Sequence, residues 1–291
     1  MTGRVGYACM NLTLREESPS VRCNRDMQKK TWESEGLRKA SRLALQNTRD
    51  LVKILTWNIS QDIYFYRCTS DFFPWNSEYE LQELPNWTKI QENLQLAGDI
   101  IKQHDIRFSF HPSYWCKMAS KSEETLLRAV EDLNNHGKWL DSMGLPQTNE
   151  YPINIHIGGV YGDKEETAQR FRNNLDLLDG GARRRLTVEN DDSVNGWSVD
   201  DLVSSVGDLV PVTFDYHHHQ FSSEVPRREA FENTLPTWDC TPVTHYSEPR
   251  CLWGSDSKPQ AHSDHISEIP TWLLDRSDVM VEAKKKDKAI L

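Results

Sequence analysis

Residues 106–156 read IRFSFHPSYWCKMASKSEETLLRAVEDLNNHGKWLDSMGLPQTNEYPINIH, and this stretch decides the fold. Ile106–Phe110 and Ile153–His156 are short apolar runs typical of buried strands. Between them Glu123–Ser142 is amphipathic with a helical period, and Ser122 is its predicted N-cap. A strand, a helix and a second strand in this order predict parallel pairing with a right-handed crossover.

The same alternation recurs along the rest of the chain. Helical patterns cover Gly36–Val52, Lys89–Gln103 and Glu165–Leu178, and Thr88 is the predicted N-cap of the second. The other predicted strands are Arg4–Tyr7, Ile63–Tyr66, Arg185–Val188, Val212–Phe214, Val243–His245 and Val279–Val281. Eight such units, without an internal repeat or a linker, predict a single α/β domain over residues 1–291, a closed (β/α)₈ TIM barrel.

The composition limits the kinds of partner that the protein can bind. The chain has 291 residues with 34 Lys+Arg against 44 Asp+Glu, a formal net charge of −10. This balance argues against a general polyanion binder but allows a local basic groove. Cations predicted on the mouth side are Lys117, Lys121, Lys164, Arg250, Lys258 and Lys284. The apolar runs are shorter than a membrane helix of about 18 residues, so we expect no membrane partner.

The cysteines and the beginning of the chain indicate the compartment. The six cysteines form no CxxC pair, which favours reduced thiols over a zinc ribbon. The first thirty residues lack the apolar stretch of a signal peptide. We therefore expect an intracellular protein, cytoplasmic or, in a eukaryotic host, nuclear.

Six consecutive predicted strands end in a residue that can bind a divalent metal. These residues are His111, His156, Glu189, Asp215, His245 and Glu282. The carboxyl ends of TIM-barrel strands form the mouth, where the chemistry takes place. One His or Glu at a strand end is more often only hydrogen-bonded. Six that converge on one mouth need a cation to offset their repulsion and desolvation, so the pattern predicts a metal centre.

The ligand types and their number narrow the metal centre. Three imidazoles with three carboxylates favour Mn²⁺, Zn²⁺ or Fe²⁺ over Ca²⁺. His218 and the run His262-Ser-Asp264-His265 add candidates, which exceeds what one ion needs. Of the flanking His217 and His219, we expect one to be a packing or supporting residue. Paired metals suit phosphodiester displacement, but sugar isomerases also use barrel-mouth metals, so the metal alone does not name the substrate.

An ordered set of motifs is specific in combination, although each one is weak alone. The motifs are Gly6-Tyr7 with Asn11, Phe65-Tyr66-Arg67-Cys68-Thr69-Ser70-Asp71, Phe110-His111-Pro112, His156-Ile-Gly-Gly, Gly162-Asp163-Lys164, Glu189-Asn190-Asp191, Asp215-Tyr-His-His218 and Val281-Glu282-Ala-Lys284. The set resembles the UV damage endonuclease family, of the UvdE or UvsE type, from Arg4 to about Lys286. That family is similar in fold to endonuclease IV, a TIM barrel with up to three divalent ions.

The resemblance implies a reaction and a ligand assignment. DNA would be cut immediately 5′ to cyclobutane dimers, 6-4 photoproducts and some abasic sites, leaving 3′-hydroxyl and 5′-phosphate ends and initiating excision repair. His111, His156 and Glu189 would surround one ion. Glu189 would bridge to a second ion held by Asp215, His245 and Glu282, and His218 and His262 look like ligands of a third. The six strand-end residues would be the catalytic set, with two or three manganese ions, or zinc or magnesium.

Lesion recognition is also implied by the resemblance. Tyr114 and Trp115 match the family's probing position, where a wedge fills the gap left by an extruded, poorly stacked photoproduct. Ordinary core packing is the alternative for Trp115. Tyr7 and Asn11 match residues that contact the damaged strand. The expected partner is UV-damaged double-stranded DNA, and the expected state is a monomer.

The chain departs from the family at two positions near the metals. Val243 stands where relatives often carry a Lys, and Glu78 is the nearest residue to a His of relatives. Three alternatives remain open at this point. They are an endonuclease IV-like enzyme for abasic sites, a metal-dependent sugar isomerase or epimerase on the same barrel, and a lesion-binding protein without catalysis.

Overall fold

The computed structural model describes residues 3–291, and its centre is a closed barrel of eight parallel strands in sequence order. The strands are β1 (Val5–Ala8), β2 (Phe65–Cys68), β3 (Arg107–Phe110), β4 (Ile153–Ile155), β5 (Leu186–Glu189), β6 (Val212–Asp215), β7 (Val243–Tyr246) and β8 (Asp278–Val281). All eight predicted strands are present, and the predicted TIM barrel is confirmed.

Ten α-helices are described around the barrel, with short 3₁₀ turns between them. They are α1 (Leu12–Arg15), α2 (Lys29–Ser60), α3 (Trp87–Gln103), α4 (Glu123–Ser142), α5 (Lys164–Asn174), α6 (Gly180–Arg183), α7 (Val199–Val206), α8 (Tyr216–Ser222), α9 (Arg227–Thr234) and α10 (Thr271–Leu274). Helix α4 has the predicted bounds, and the Ser122 hydroxyl accepts a hydrogen bond from the Thr125 amide as its N-cap. None of the helices in residues 3–291 has the length and apolar character to cross a membrane.

Three predicted boundaries are wrong, for local reasons. Strand β2 begins two residues late because the Ile63 amide donates to the Asn58 carbonyl and so continues the end of α2. Helix α3 begins at Trp87 with Asn86 as its N-cap, which puts Thr88 inside the first turn. Helix α5 gives way to a 3₁₀ turn after Asn174.

Helix α2 is much longer than the predicted Gly36–Val52. It runs from Lys29 to Ser60, but Gly36 interrupts it with a φ of 49°. That backbone region favours glycine, because a β-carbon would be strained there. The predicted start therefore coincides with the break in the helix, and the residues before Gly36 form a separate segment of it.

A network of charged side chains, some of them buried, lies at the bottom of the barrel, where the strands begin. We call Arg4, Asp105, Arg107, Glu150 and Asp278 the bottom network. Arg107 is fully buried, and its guanidinium lies 2.8 Å from a Glu150 oxygen and 3.5 Å from an Asp278 oxygen. Arg4 contacts the same two carboxylates at 3.0 and 3.1 Å and Asp105 at 2.7 Å. The network therefore pairs cationic side chains with anionic ones at the pole opposite the mouth.

Candidate metal centre

Glu189 is the residue on which the mouth imidazoles converge. Its Oε1 lies 3.0 Å from His111 Nε2 and 2.6 Å from His156 Nε2, while its Oε2 lies 2.5 Å from His245 Nδ1. Two groups with donor atoms within 4.8 Å of one another could each hold an ion. They are His111, His156 and Glu189, and Glu189, Asp215 and His245. The buried Glu189 carboxylate belongs to both groups.

The hydrogen bonds of two of these imidazoles test whether the donor set fits a metal. His111 Nδ1 lies 2.9 Å from the Pro112 carbonyl oxygen, and His156 Nδ1 lies 2.8 Å from Asp191 Oδ1. A neutral ring that donates through Nδ1 turns the lone pair of Nε2 toward Glu189 Oε1. Lone pairs on both sides repel at these distances unless a cation lies between them. The donor set therefore fits a divalent ion.

The short distances between imidazoles and carboxylates also shift the pKa values of His156 and Glu189. Burial lowers the pKa of His156, but the charges of Glu189 and Asp191 outweigh burial and raise it well above the ordinary value. Burial raises the pKa of Glu189, but the nearby His156, His245 and His111 rings hold it well below its usual range. The carboxylate is thus stabilised in its charged form by positive charge, whether a proton or a metal ion supplies it.

Asp215 and His245 form the second half of the centre. They are register partners on β6 and β7, and Asp215 Oδ2 lies 3.8 Å from His245 Nδ1. Asp215 Oδ1 accepts from the His218 amide at 2.7 Å, which caps α8 and leaves Oδ2 for the centre. His245 Nδ1 is buried and makes no aligned hydrogen bond, although Glu189 Oε2 is 2.5 Å away. A close carboxylate without hydrogen-bond alignment also fits a shared cation.

Glu282 lies beside both groups, directly after β8. Its Oε1 is 3.5 Å from His245 Nδ1, and the same oxygen forms an ion pair with Arg67 of β2. Burial raises the pKa of Glu282, but the charges of Arg67 and then His245 hold it well below its usual range. Burial lowers the pKa of Arg67, but the Glu282 charge raises it above its ordinary value. The pair therefore holds a charged carboxylate at the edge of the centre.

His218 and His262 form a separate pair of imidazoles. Their ring centroids are 6.0 Å apart, and His262 Nε2 lies 3.8 Å from Glu282 Oε2. His218 donates through Nδ1 to the Asn190 carbonyl at 3.0 Å, which leaves Nε2 free. Burial lowers the pKa of His262, whereas Asp215 outweighs burial at His218 and raises its pKa. These two rings could contribute to a further ion site beside the shared centre.

His217 and His219, which flank His218 on α8, both form hydrogen bonds with backbone carbonyls. His217 Nε2 lies 3.0 Å from the Gln260 carbonyl, and His219 Nε2 lies 2.7 Å from the Val225 carbonyl. Both rings are buried, and burial lowers the pKa of each. The structure thus gives a packing role to both, where the sequence led us to expect one.

Tyr7 and Asn11, which are expected from the sequence to contact the damaged strand, are buried in this structure and hydrogen-bonded to each other. The Tyr7 hydroxyl donates to Asn58 Oδ1 at 2.7 Å, and Asn11 Nδ2 donates to that hydroxyl at 2.8 Å. Asn11 Oδ1 accepts from the Leu14 amide and caps α1. Both side chains are buried, and their polar atoms tie β1 to α2.

Tyr114 and Trp115 stand exposed on the loop after β3. Their side chains are 65% and 66% exposed, and their ring centroids lie 4.1 Å apart. Core packing, the alternative for Trp115, is therefore wrong. Trp115 and Ser113 line a cavity of about 570 Å³ beside α4, and Glu78 lies in the wall of that cavity. Glu78 belongs to neither ligand group around Glu189.

Three supporting residues of the centre were given no role from the sequence. Asn154 Nδ2 donates to Glu189 Oε2 at 2.7 Å, Asp191 orients His156, and Arg67 pairs with Glu282. Asn154 and Arg67 each interrupt an otherwise apolar strand. A polar residue within a barrel strand was therefore the available signal for both.

The mouth cations are only partly free. Lys121, Arg250, Lys258 and Lys284 are exposed, as predicted for a basic groove. Lys164 is paired with Asp201, and Arg250 lies 3.3 Å from Asp264. The positive charge available to an anion is therefore smaller than the sequence suggests.

Comparisons with known proteins match the whole described chain. The family described as UV-endonuclease UvdE matches residues 3–291. The UV-damage endonuclease of Schizosaccharomyces pombe is 34% identical over 99% of this chain, and the match covers 49% of that protein, so this chain spans about half the length of that relative. The UV DNA damage endonuclease of Bacillus mycoides is 31% identical, with 99% of this chain and 92% of that protein covered.

Solved structures match the fold. The crystal structure of SacUVDE superposes with a TM-score of 0.83 at 29% identity and covers 99% of this chain and 95% of its own. Endonuclease IV from Thermus thermophilus matches with a TM-score of 0.55 at 14% identity, covering 82% of this chain and 90% of its own. D-Psicose 3-epimerase from Clostridium cellulolyticum has the same TM-score at 11% identity, covering 80% and 78%. At such low identities the likeness shows the fold alone.

Proposed function

This chain belongs to the UV-endonuclease UvdE family, and we propose that it hydrolyses the DNA phosphodiester immediately 5′ to UV photoproducts. The substrates would be cyclobutane dimers and 6-4 photoproducts, with abasic sites as a further substrate. Such incision would initiate excision repair, which also implies an intracellular site of action. We propose further that residues 1–291 act as one barrel domain and as a monomer.

The observation that carries this proposal is the sharing of Glu189 between two ligand groups at the barrel mouth. We propose that Glu189 bridges two divalent ions, manganese being the first candidate and zinc or magnesium the others. His111 and His156 would complete one set, and Asp215, His245 and Glu282 the other. His218 and His262 would hold a third ion. When bound, such ions supply Lewis acidity to the attacking water, the phosphate and the departing oxygen.

The chain's own residues do the positioning. The Pro112 carbonyl and Asp191 fix the tautomers of His111 and His156. Asn154 holds one Glu189 oxygen, and Arg67 holds Glu282. This support costs no reorganisation during the reaction, because the partners are in place beforehand.

Lesion selection would fall to the exposed pair on the loop after β3. A photoproduct is poorly stacked, so extruding it from the duplex costs less than extruding normal bases. The Tyr114 and Trp115 rings already lie against each other at the surface, with their centroids 4.1 Å apart and their planes tilted by 32°, and offer an apolar wedge. We propose that this wedge fills the gap left by the extruded lesion.

An incision assay tests the proposal. A short duplex with one cyclobutane dimer is incubated with the protein and Mn²⁺, and denaturing gels locate the cut. We expect a single nick directly 5′ to the dimer, with a 3′-hydroxyl end that a polymerase extends. Undamaged duplex and chelator are the controls, and both should give no nick.

Parallel substrates separate the alternatives. Cutting of an abasic duplex but not of the dimer would favour an endonuclease IV-like enzyme. Turnover of ketohexoses without any DNA cutting would favour an epimerase. Absence of a nick beside the dimer with every divalent metal tested would overturn the proposal.

A further inference from the structure

Two exposed tryptophans stand out in the described part of the chain. Trp115 and Trp253 are the tryptophans of residues 3–291 that are exposed, at 66% and 51%. Each has an exposed neighbour, Tyr114 in the first case and Leu252, 75% exposed, in the second. Apolar side chains of this size are more often buried, so a second exposed pair at the mouth calls for a partner.

The two pairs follow strands that lie on opposite sides of the barrel. Tyr114 and Trp115 follow β3, and Leu252 and Trp253 follow β7, four strands further round an eight-stranded barrel. Strands about 4.8 Å apart put opposite strands of such a barrel on the order of 15 Å apart. One nucleotide step along a duplex is about 3.4 Å, so the strands that carry the two pairs are about four steps apart.

The Leu252–Trp253 segment is anchored to the mouth. The Arg250 amide donates to the Ala261 carbonyl at 2.7 Å, and the Ser263 amide donates to the Glu248 carbonyl at 2.9 Å. These bonds form an antiparallel bridge between Pro249 and His262, which attaches the segment to a candidate metal ligand. The exposed pair is thus continuous with the candidate centre.

The Trp253 ring is held in place. Its Nε1 donates to Glu248 Oε2 at 3.1 Å, and the other Glu248 oxygen accepts from the Ser267 amide at 2.9 Å. The ring forms a ridge between cavities of about 330 and 550 Å³, and Leu252 lines the larger one. A fixed aromatic ridge presents its surface to a partner at little cost in conformational entropy.

We propose that Leu252 and Trp253 are a second DNA-contacting element, which packs into the minor groove of the undamaged duplex beside the lesion. Apolar wedges are a usual way for proteins to engage base steps from that groove. The inference rests on the proposed function for its partner, because the same duplex must cross the mouth. It adds a contact that supplies affinity without reading the lesion.

The charges of this loop argue against contact with phosphates. Between Glu248 and Glu268 the acidic residues are Glu248, Asp256, Asp264 and Glu268, and the Lys and Arg residues are Arg250 and Lys258. Arg250 is itself paired with Asp264. The loop therefore has little free positive charge, and its contribution to DNA affinity should come from the apolar pair.

Equilibrium binding tests the proposal. Fluorescence anisotropy in chelator is measured for undamaged duplex and for dimer-containing duplex, at several salt concentrations. The variants are L252A/W253A and the conservative W253F. The matched control is L96A/L177A, which removes exposed leucines from outer elements of the barrel, where they are 49% and 47% exposed.

We expect L252A/W253A to weaken binding of both duplexes by the same factor, about 5- to 100-fold if the contact resembles base–aromatic stacking. The slope of log affinity against log salt should stay unchanged, because no phosphate contact is lost. W253F should retain most of the affinity, and L96A/L177A should bind like wild type. W115A should differ by weakening the dimer-containing duplex selectively.

Several results would overturn the inference. One is wild-type affinity in a normally folded L252A/W253A, checked by its thermal unfolding. A second is a shallower salt slope, which would mean that a basic residue makes the contact. A third is a change in oligomeric state with unchanged DNA binding, which would make the pair an interface between copies. Wild-type protein that binds duplex but never nicks it would refute the proposed function while leaving this contact open to the same measurement.

Discussion

The mouth and the bottom of the barrel both bury charged side chains, but they balance them differently. In the bottom network Arg107 and Arg4 each contact Glu150 and Asp278, so cationic donors face anionic acceptors directly. At the mouth, three imidazoles surround the Glu189 carboxylate, and His111 and His156 would turn the lone pairs of Nε2 toward it if their rings were neutral. The bottom pairs its charges within the protein, whereas the mouth gathers carboxylates and imidazoles that could hold a metal ion.

This difference separates stability from chemistry. Residues at the bottom of a TIM barrel serve stability, and those at the carboxyl ends of its strands serve catalysis. Removing a charge from the bottom should therefore lower the free energy of unfolding and leave the metal affinity intact. Removing a charge from the mouth should lower the metal affinity and change the free energy of unfolding much less. The following variants are arranged to test that separation, from the largest expected effect to the smallest.

Glu189→Gln should abolish incision and leave lesion binding largely intact. The amide cannot supply the negative charge that both ligand groups share, whereas the exposed wedge residues are untouched. Incision gels and anisotropy on the same protein measure the two effects. Glu150→Gln, which changes a carboxylate of the bottom network, is the matched control and should still cut. Loss of DNA binding by a normally folded Glu189→Gln would contradict the assigned role.

Arg107→Met should lower the free energy of unfolding by up to about 3 kcal/mol, because the buried Asp278 carboxylate loses one of its two cationic partners and keeps Arg4. Denaturant titration measures the loss, and Mn²⁺ titration of the folded variant should show wild-type affinity. Arg128→Met, at an exposed ion pair on α4, is the control and should change stability little. A fall in the metal affinity of Arg107→Met would contradict the separation of stability, at the bottom of the barrel, from metal binding, at the mouth.

Asp191→Asn should weaken metal binding about 10- to 100-fold, since this carboxylate orients His156 and strengthens it as a ligand. Calorimetric titration with Mn²⁺ measures the change, and the unfolding free energy should move much less. Asp192→Asn changes the exposed neighbouring carboxylate and should bind metal normally. Equal effects of the two variants would mean that only the general negative charge of the loop matters.

The strands and most of the centre could be predicted because their signals are local. A strand of four residues followed by His, Glu or Asp is visible within one short segment, as at Leu186–Glu189 and Val212–Asp215. Once the order of elements implies a barrel, its topology brings those strand ends to one mouth. The sequence therefore indicated which residues would meet at the mouth without any knowledge of their distances.

Roles that depend on distant partners could not be predicted. Arg67 and Glu282 pair across 215 residues, and neither residue type reveals the other. The Tyr7 hydroxyl is bonded to Asn58, on a helix whose end the apolar pattern placed too early, so this bond could not be foreseen from the sequence. The exposure of Trp115 and Trp253 is likewise a property of the assembled loops, since most tryptophans in this chain are at least partly buried.

The closure of the barrel has a consequence for folding. Strand β8 pairs with β1, and there the Arg4 amide donates to an Asp278 carboxylate 274 residues away. Contacts between such distant segments form late, because a large loop must close first. Glu282 follows β8 directly, so its ion pair with Arg67 can form only after β8 has paired with its neighbouring strands. We therefore expect incision to appear abruptly with the final folding step, and folding intermediates to leave chromosomal DNA uncut.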